Sequence, residues 1–289
     1  MGNRDLLREE RGWGRLFVAS LVAFIYFVPV LWMILAAFKS RVDIMAQPPK
    51  LLFLPTLDNY WAIFNHLSAD GSQVFSTGFE RNIFNSIFIA AVSVGLALAL
   101  GALAAYGFSR LRAPGRDYYM FYVLALRMMP PLTLIVPLYL LFRVSGLGGS
   151  YVGIILVYTA FNLPFSIWML RSFLDELNPQ IEEAAWLDGA SHLTIFWKMC
   201  LPQIGAGIAA TAMIAFVFTW NDFLFSLLLT GQDTRTVPVA MIRVVGADVG
   251  VDWGVFAAIG TIYLLPILVV VFVLQRHLLR GATFGTLSG

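Results

Sequence analysis

Side chains that usually carry chemistry are few in this 289-residue chain, and they are scattered. His66, His192 and His277 fall in three separate segments without metal-ligand spacing, so no metal centre is expected. Cys200 is the only cysteine, which excludes an intramolecular disulfide and a cysteine-based zinc site; in apolar company it reads as a small hydrophobe. Lys39, Lys50 and Lys198 are the only lysines, and none lies in a G-x-x-x-x-G-K-[ST] loop, so the chain has no P-loop for ATP. Two charges stand out because they sit inside apolar runs: Arg127, and Asp222 of the pair Asn221-Asp222. A charge in the hydrocarbon faces the bundle interior or a watery cavity, and either pairs or lines a pathway. Asp222 can pair with Arg127 or Arg243, or accept hydrogen bonds from a polar molecule at the outer mouth. Acid, base and nucleophile are nowhere clustered as an enzyme requires.

The elements that hold these residues follow from composition. Only 12% of the residues are charged and 59% are hydrophobic, against roughly 25% charged in soluble domains, so the chain reads as an all-α polytopic membrane protein. Apolar runs predict six spans, at about 16–38, 83–109, 118–142, 151–172, 204–230 and 254–275, in one domain covering 1–289. The first run exceeds the apolar core of a signal peptide and is expected to be a retained helix. Pro130, Pro131 and Pro137 should bend or break the third. The long loop at about 39–82 should hold one short helix near Asn59, and the loop after the fifth span is too polar to cross. Eleven of the 19 Lys and Arg residues fall in the loops and termini of one side and seven on the other, Arg127 being intramembrane. The richer side holds both termini and is expected to be cytoplasmic. A net charge of +2 with scattered basic residues gives no footprint for nucleic acid. Asn85, Ser86 and Asn162 are polar helix positions that more often join neighbouring helices than bind a solute.

Between the fourth and fifth spans, at about 174–203, the chain turns soluble: "PQIEEAAWLDGASHLTIFWKMCLP". Asn178 is a good N-cap and Pro179 a good first helical residue. Glu182 and Glu183 complement the positive helix end. Gly189 suits a left-handed stop, Ser191 caps a second helix, and that helix runs to Pro202. Ile181, Ala184, Ala185 and Asp188 share a face on which small alanines permit close approach. That face either receives a partner or packs on the protein's own bundle.

The order Glu183-Ala184-Ala185, Asp188-Gly189-Ala190 and Leu201-Pro202 resembles the EAA loop of the membrane subunits of ATP-binding-cassette importers, with Met199 where isoleucine is usual. "RNIFNSIFIA", "RMMPPLTLIVPLYLLFRVSGLGGSYVGIIL", "TWNDFLFSLLL" and "QRHLLRGATFGTLSG" extend the likeness to the carbohydrate-uptake branch, and within it to the smaller six-span partner of maltose-type permease pairs. The resemblance implies that Glu182, Glu183, Ala184, Ala185, Asp188 and Gly189 couple the chain to an ATPase, Glu183 facing its cleft. It implies a heterodimer with a second permease, two ATPase subunits that carry ATP and magnesium, an extracytoplasmic solute-binding protein, and a bacterial or archaeal inner membrane. This chain itself is expected to bind no cofactor. Arg127, Asn162, Asn221 and Asp222 are the pathway candidates, and the tail after Arg280 is expected to reach between the ATPase subunits. The alternatives are a membrane enzyme built on Arg127 and Asp222, or an ion-coupled transporter, which would need inverted repeats and acidic residues at mid-membrane.

Overall fold

The computed structural model describes residues 3–64, 78–111, 114–245 and 251–284. The helices are α1 (Asn3–Ala37), α2 (Arg41–Ile44), α3 (Asp58–Phe64), α4 (Phe79–Arg110), α5 (Arg116–Met128), α6 (Pro131–Ser145), α7 (Tyr151–Asp175), α8 (Pro179–Leu187), α9 (His192–Ile195), α10 (Leu201–Gln203), α11 (Gly205–Trp220), α12 (Leu224–Leu229), α13 (Val237–Val245) and α14 (Trp253–Phe284). A π turn, Phe196–Cys200, joins α9 to α10. Among the described residues the only strand-like pairing is an isolated bridge between Gly149 and Thr230. The architecture is that of an all-α polytopic membrane protein.

Among the described residues, four helices are long and apolar enough to cross a bilayer by themselves, and two bent pairs bring the number to six if each pair is one span. The expected third span is α5 and α6, bent by 88°. Met129 and Pro130 are extended there, because a residue before proline is pushed out of the α region. The expected fifth span starts on time but stops at Trp220, and Leu224–Leu229 forms a separate helix. Asp222 makes that break, since its Oδ2 accepts from the N–H groups of Phe225 and Ser226 and so caps α12.

Within the chain expected to be one domain, packing separates two compact units, residues 1–78 with 241–264 and residues 79–240 with 265–289. In the first, Met33 of α1 sits over Gly260 of α14, and Asn59 donates to the carbonyls of Ala37 and Lys39 at 2.9 and 2.8 Å. Lys39 is buried, its ammonium donating to the Lys50 carbonyl and lying 4.6 Å from the Trp32 ring. The expected short helix near Asn59 is α3.

The second unit is built on α4 and α7. These run parallel: Asn85 meets Tyr151 at one end, and Arg110 meets Leu174 at the other. Small buried residues on α4, among them Ala90, Ser93, Ala97, Gly101 and Ala105, let the backbones approach, the way membrane helices gain van der Waals contact. Gly101 marks the tightest point, where an added Cβ would lie 2.8 Å from Ser166 Cβ. Antiparallel to both, α11 places Gly207 against Phe173 and Thr219 against Asn162.

Candidate functional site

Midway along α7 the second unit holds a cavity of about 210 Å³. Arg127 and Pro131 line it from the bent α5–α6 pair, Tyr158, Phe161 and Asn162 from α7, and Phe218, Thr219, Asp222 and Phe225 from α11, α12 and their break. Phe161 is ten residues from the start of α7 and fourteen from its end, about 15 and 21 Å at 1.5 Å per residue, so the cavity lies near the middle of a helix long enough to cross a ~30 Å hydrocarbon layer.

Among the described residues, no carboxylate pairs with Arg127. Its Nη1 donates to the Phe161 carbonyl at 2.7 Å, and its guanidinium carbon stands 4.7 Å from the Phe218 ring and 5.3 Å from the Phe165 ring. Pro164 lies in the same stretch of α7 and cannot donate to Ala160, which loosens the helix locally. Two aromatic faces and a carbonyl thus stand in for a counter-ion around this half-buried cation.

Asp222 is satisfied in a different way. Its Oδ2 accepts from the Tyr158 hydroxyl at 2.8 Å, besides the two backbone N–H groups at the start of α12. No ion pair joins it to Arg127, contrary to one sequence expectation, because the cap and the tyrosine already engage it. The side chain of Arg243, the other expected partner, lies outside the described residues. The cavity therefore has a guanidinium on one wall and a carboxyl group on the other, with aromatic rings between.

The remaining polar candidates divide. Asn162 is buried and donates to the Tyr158 carbonyl and to Thr219 Oγ1, at 2.9 and 2.8 Å, so it joins α7 to α11 while forming part of the cavity wall. Asn221 is exposed, donates to the Val217 carbonyl and is absent from the lining. Asn85 is fully buried and fastens the loop after α12: it donates to the carbonyls of Asp233 and Arg235, both at 2.9 Å, and accepts from the Tyr151 hydroxyl. Ser86 accepts from the Val237 N–H at 2.8 Å. Both are structural pegs.

At the other end of α7 lies the polar stretch. Asn178 caps α8 by accepting from the Gln180 N–H, and Ser191 caps α9 by accepting from Thr194. Gly189 has φ +83°, and the N–H groups of Gly189 and Ala190 bond back to the carbonyls of Trp186 and Ala185, the paired closure of a Schellman stop. The second helix is not the single α-helix expected. It widens into the π turn, where the Leu201 N–H reaches the Phe196 carbonyl, just before Pro202, which has no N–H to give.

The six coupling candidates point in two directions. Glu183, Ala184, Asp188 and Gly189 are exposed, beside Leu187 at 90% and Leu193 at 63% exposure. Ala185 is buried in a core with Tyr106, Leu170, Leu174, Ile195, Phe196 and Cys200. Glu182 also turns inward, onto Arg110 Nε at 2.6 Å. Consecutive residues are about 100° apart on a helix, so one of two adjacent glutamates can face out while the other faces in. His192 packs edge-on to Trp186, and Cys200 is a buried free thiol within that same core. His66 and residues 285–289 of the tail lie outside the described residues.

Sequence reasoning missed Tyr158, Phe218, Thr219 and Arg110. The first three lack any motif; Arg110 sat in plain view as a positive-side loop residue, but nothing local gave its partner.

Known proteins share both the sequence and the fold. The family described as "Binding-protein-dependent transport system inner membrane component" matches residues 97–283. A probable ABC transporter permease protein, y4oR of Sinorhizobium fredii, is 36% identical over 268 residues, 93% of this chain and 92% of that protein. The trehalose/maltose transport system permease protein MalG of Thermococcus litoralis is 30% identical over 272 residues, 94% of this chain and 95% of its own. Among solved structures, a chain of a bacterial ABC transporter involved in the import of the acidic polysaccharide alginate superposes with a TM-score of 0.74 at 21% identity, covering 96% of this chain and 98% of that one.

Proposed function

Because the chain belongs to the family of binding-protein-dependent transport system inner membrane components, we propose that it is one permease of an ATP-driven importer for a carbohydrate, whether sugar, oligosaccharide, polyol or sugar derivative. It is a transport component and not an enzyme. The observation that carries the reading is the arrangement along α7 and α11: a charged, aromatic-walled cavity midway along α7, and an exposed helix-turn-helix at one end of the same helices. The carbohydrate class is supported by the relative named for trehalose and maltose and by the cavity's chemistry. Guanidinium and carboxylate groups hydrogen-bond hydroxyls in opposite senses, and ring faces suit the apolar face of a sugar.

In this reading Arg127 and Asp222 touch the passing solute, Asn162 steadies the wall, and Asn221 lies outside it. The single transmembrane domain covers residues 1–289, with both termini and the stretch at 174–203 in the cytoplasm. A second, different permease completes the pathway, an extracytoplasmic binding protein delivers the solute, and two ATPase subunits hold ATP and magnesium. Glu183, Ala184, Asp188 and Gly189 form the docking face, while Glu182 and Ala185 anchor it from within. Closing the ATPase pair would move the docked helices as rigid bodies and reopen the cavity to the other side.

Co-purification with the ATPase tests this. Glu183→Lys reverses the charge on the docking face without touching the buried contacts, and is expected to weaken retention of the ATPase while the permease pair stays assembled. Uptake by this chain alone, with no ATPase and no ATP, would overturn the reading.

A further inference from the structure

At the C-terminal end of α4 one side chain fastens three helices. Arg110 donates from Nε to Glu182 Oε1 on α8 at 2.6 Å, from Nη2 to the Leu174 carbonyl on α7 at 2.7 Å, and from Nη1 to Ser109 Oγ at 2.8 Å. The two charged side chains are only 15% and 12% exposed. Leu174 sits in the last turn of α7, where its carbonyl also accepts from the Leu177 N–H at 3.2 Å and the helix dipole favours a cation. A guanidinium fork can serve these acceptors together, and a single ammonium point charge cannot. The neighbouring pair, Arg171 with Asp117 at 3.1 Å, has a 76% exposed carboxylate, so it adds little rigidity. Beneath Arg110, Ala185 of α8 is packed into the same core as Ala105, Tyr106 and Leu170 of α4 and α7.

We propose that Arg110 is a positioning residue that locks α8 to the ends of α4 and α7, so that a displacement imposed on the exposed face of α8 reaches both helices as one body. The proposal rests on the reading that α8 docks an ATPase. The two adjacent glutamates then have separate roles, Glu183 receiving the force and Glu182 passing it on. Because α7 carries Tyr158, Phe161 and Asn162, the same body includes one wall of the cavity.

The test uses the complete transporter in lipid nanodiscs, with spin labels at Gln180→Cys, exposed at the start of α8, and Leu103→Cys on α4, and with Cys200, whose thiol lies against Glu182, replaced by serine to keep a donor there. The label distance is measured by pulsed electron resonance without nucleotide and with ATP plus vanadate. With Arg110 and Glu182 intact the distance is expected to stay the same in both states. Arg110→Gln and Glu182→Ala should each make it shift on adding ATP and vanadate, and the double variant should shift no more than either single, since both remove one tie. Arg110→Lys keeps the pair with Glu182 but not the hold on Leu174, and should give a smaller shift if the glutamine variant fails to assemble. A nucleotide-dependent shift in the intact protein, no shift in the variants, or additive shifts overturn the proposal. ATPase retention in the Glu183→Lys complex is scored separately: unchanged retention sinks the docking reading, whereas the label distances judge Arg110 alone.

Discussion

Replacing Arg127 by methionine removes the charge from the cavity and keeps an unbranched side chain of similar reach. An arginine at the centre of a membrane helix costs about 2.5–3.5 kcal/mol on insertion scales. Against this stand the charge-assisted hydrogen bond to the Phe161 carbonyl, about 1.5–3 kcal/mol, and two contacts with ring faces, about 0.5–2 kcal/mol each. At mid-range the gain exceeds the cost by about 2 kcal/mol, so Arg127→Met should destabilise the protein by about that much. The purified transporter should still accumulate, with thermal unfolding a few degrees earlier than in the parent. Uptake should fall much further. Losing one charge-assisted bond to the solute at about 1.5–3 kcal/mol corresponds to roughly a 10- to 100-fold slower step. The assay is initial uptake of the solute carried by the cognate binding protein, in cells matched for permease level. Arg127→Lys is expected to recover little, since a point charge cannot hold the carbonyl and a solute hydroxyl together. Normal uptake by Arg127→Met refutes the pathway role, and failure of that variant to accumulate refutes the energy balance.

Three further outcomes are expected. Gly101→Val places a Cβ 2.8 Å from Ser166 Cβ and should destabilise the α4–α7 contact by about 1–3 kcal/mol, read as earlier thermal unfolding in detergent. Gly189→Ala meets nothing within 4 Å, so its cost is the left-handed backbone alone, about 1–2 kcal/mol; if assembly collapses, the glycine is needed for space and not for φ. Asn85→Ala deletes two bonds to the Asp233 and Arg235 carbonyls, and hydrogen exchange across 237–245 should quicken while the amides of α7 keep their protection.

Much of the polar stretch was legible because its signals are local. An Asn-Pro start, a glycine where φ must be positive and a serine three residues before the N–H it accepts act within one turn, and each is found where expected. The proline pair at 130–131 bends its span for a similarly local reason. What failed to show was direction. That Glu182 faces Arg110, 72 residues away, and that Asp222 takes Tyr158 instead of Arg127, depends on how α4, α7, α8 and α11 are turned about their axes.

The string of residues was enough for an all-helical membrane chain, for most of the points where its helices start, stop and bend, and for the resemblance that names its family. Apolar length and capping chemistry act over a few residues, so neighbours in the chain contain them. Packing in three dimensions was needed to show that Arg127 is balanced by rings and a carbonyl, that Arg127, Asn162 and Asp222 share one cavity while Asn221 does not, and that neighbouring glutamates serve opposite faces. Those outcomes are set by helix rotation and close packing between segments far apart in the chain, where small residues such as Gly101 fix how near two backbones come.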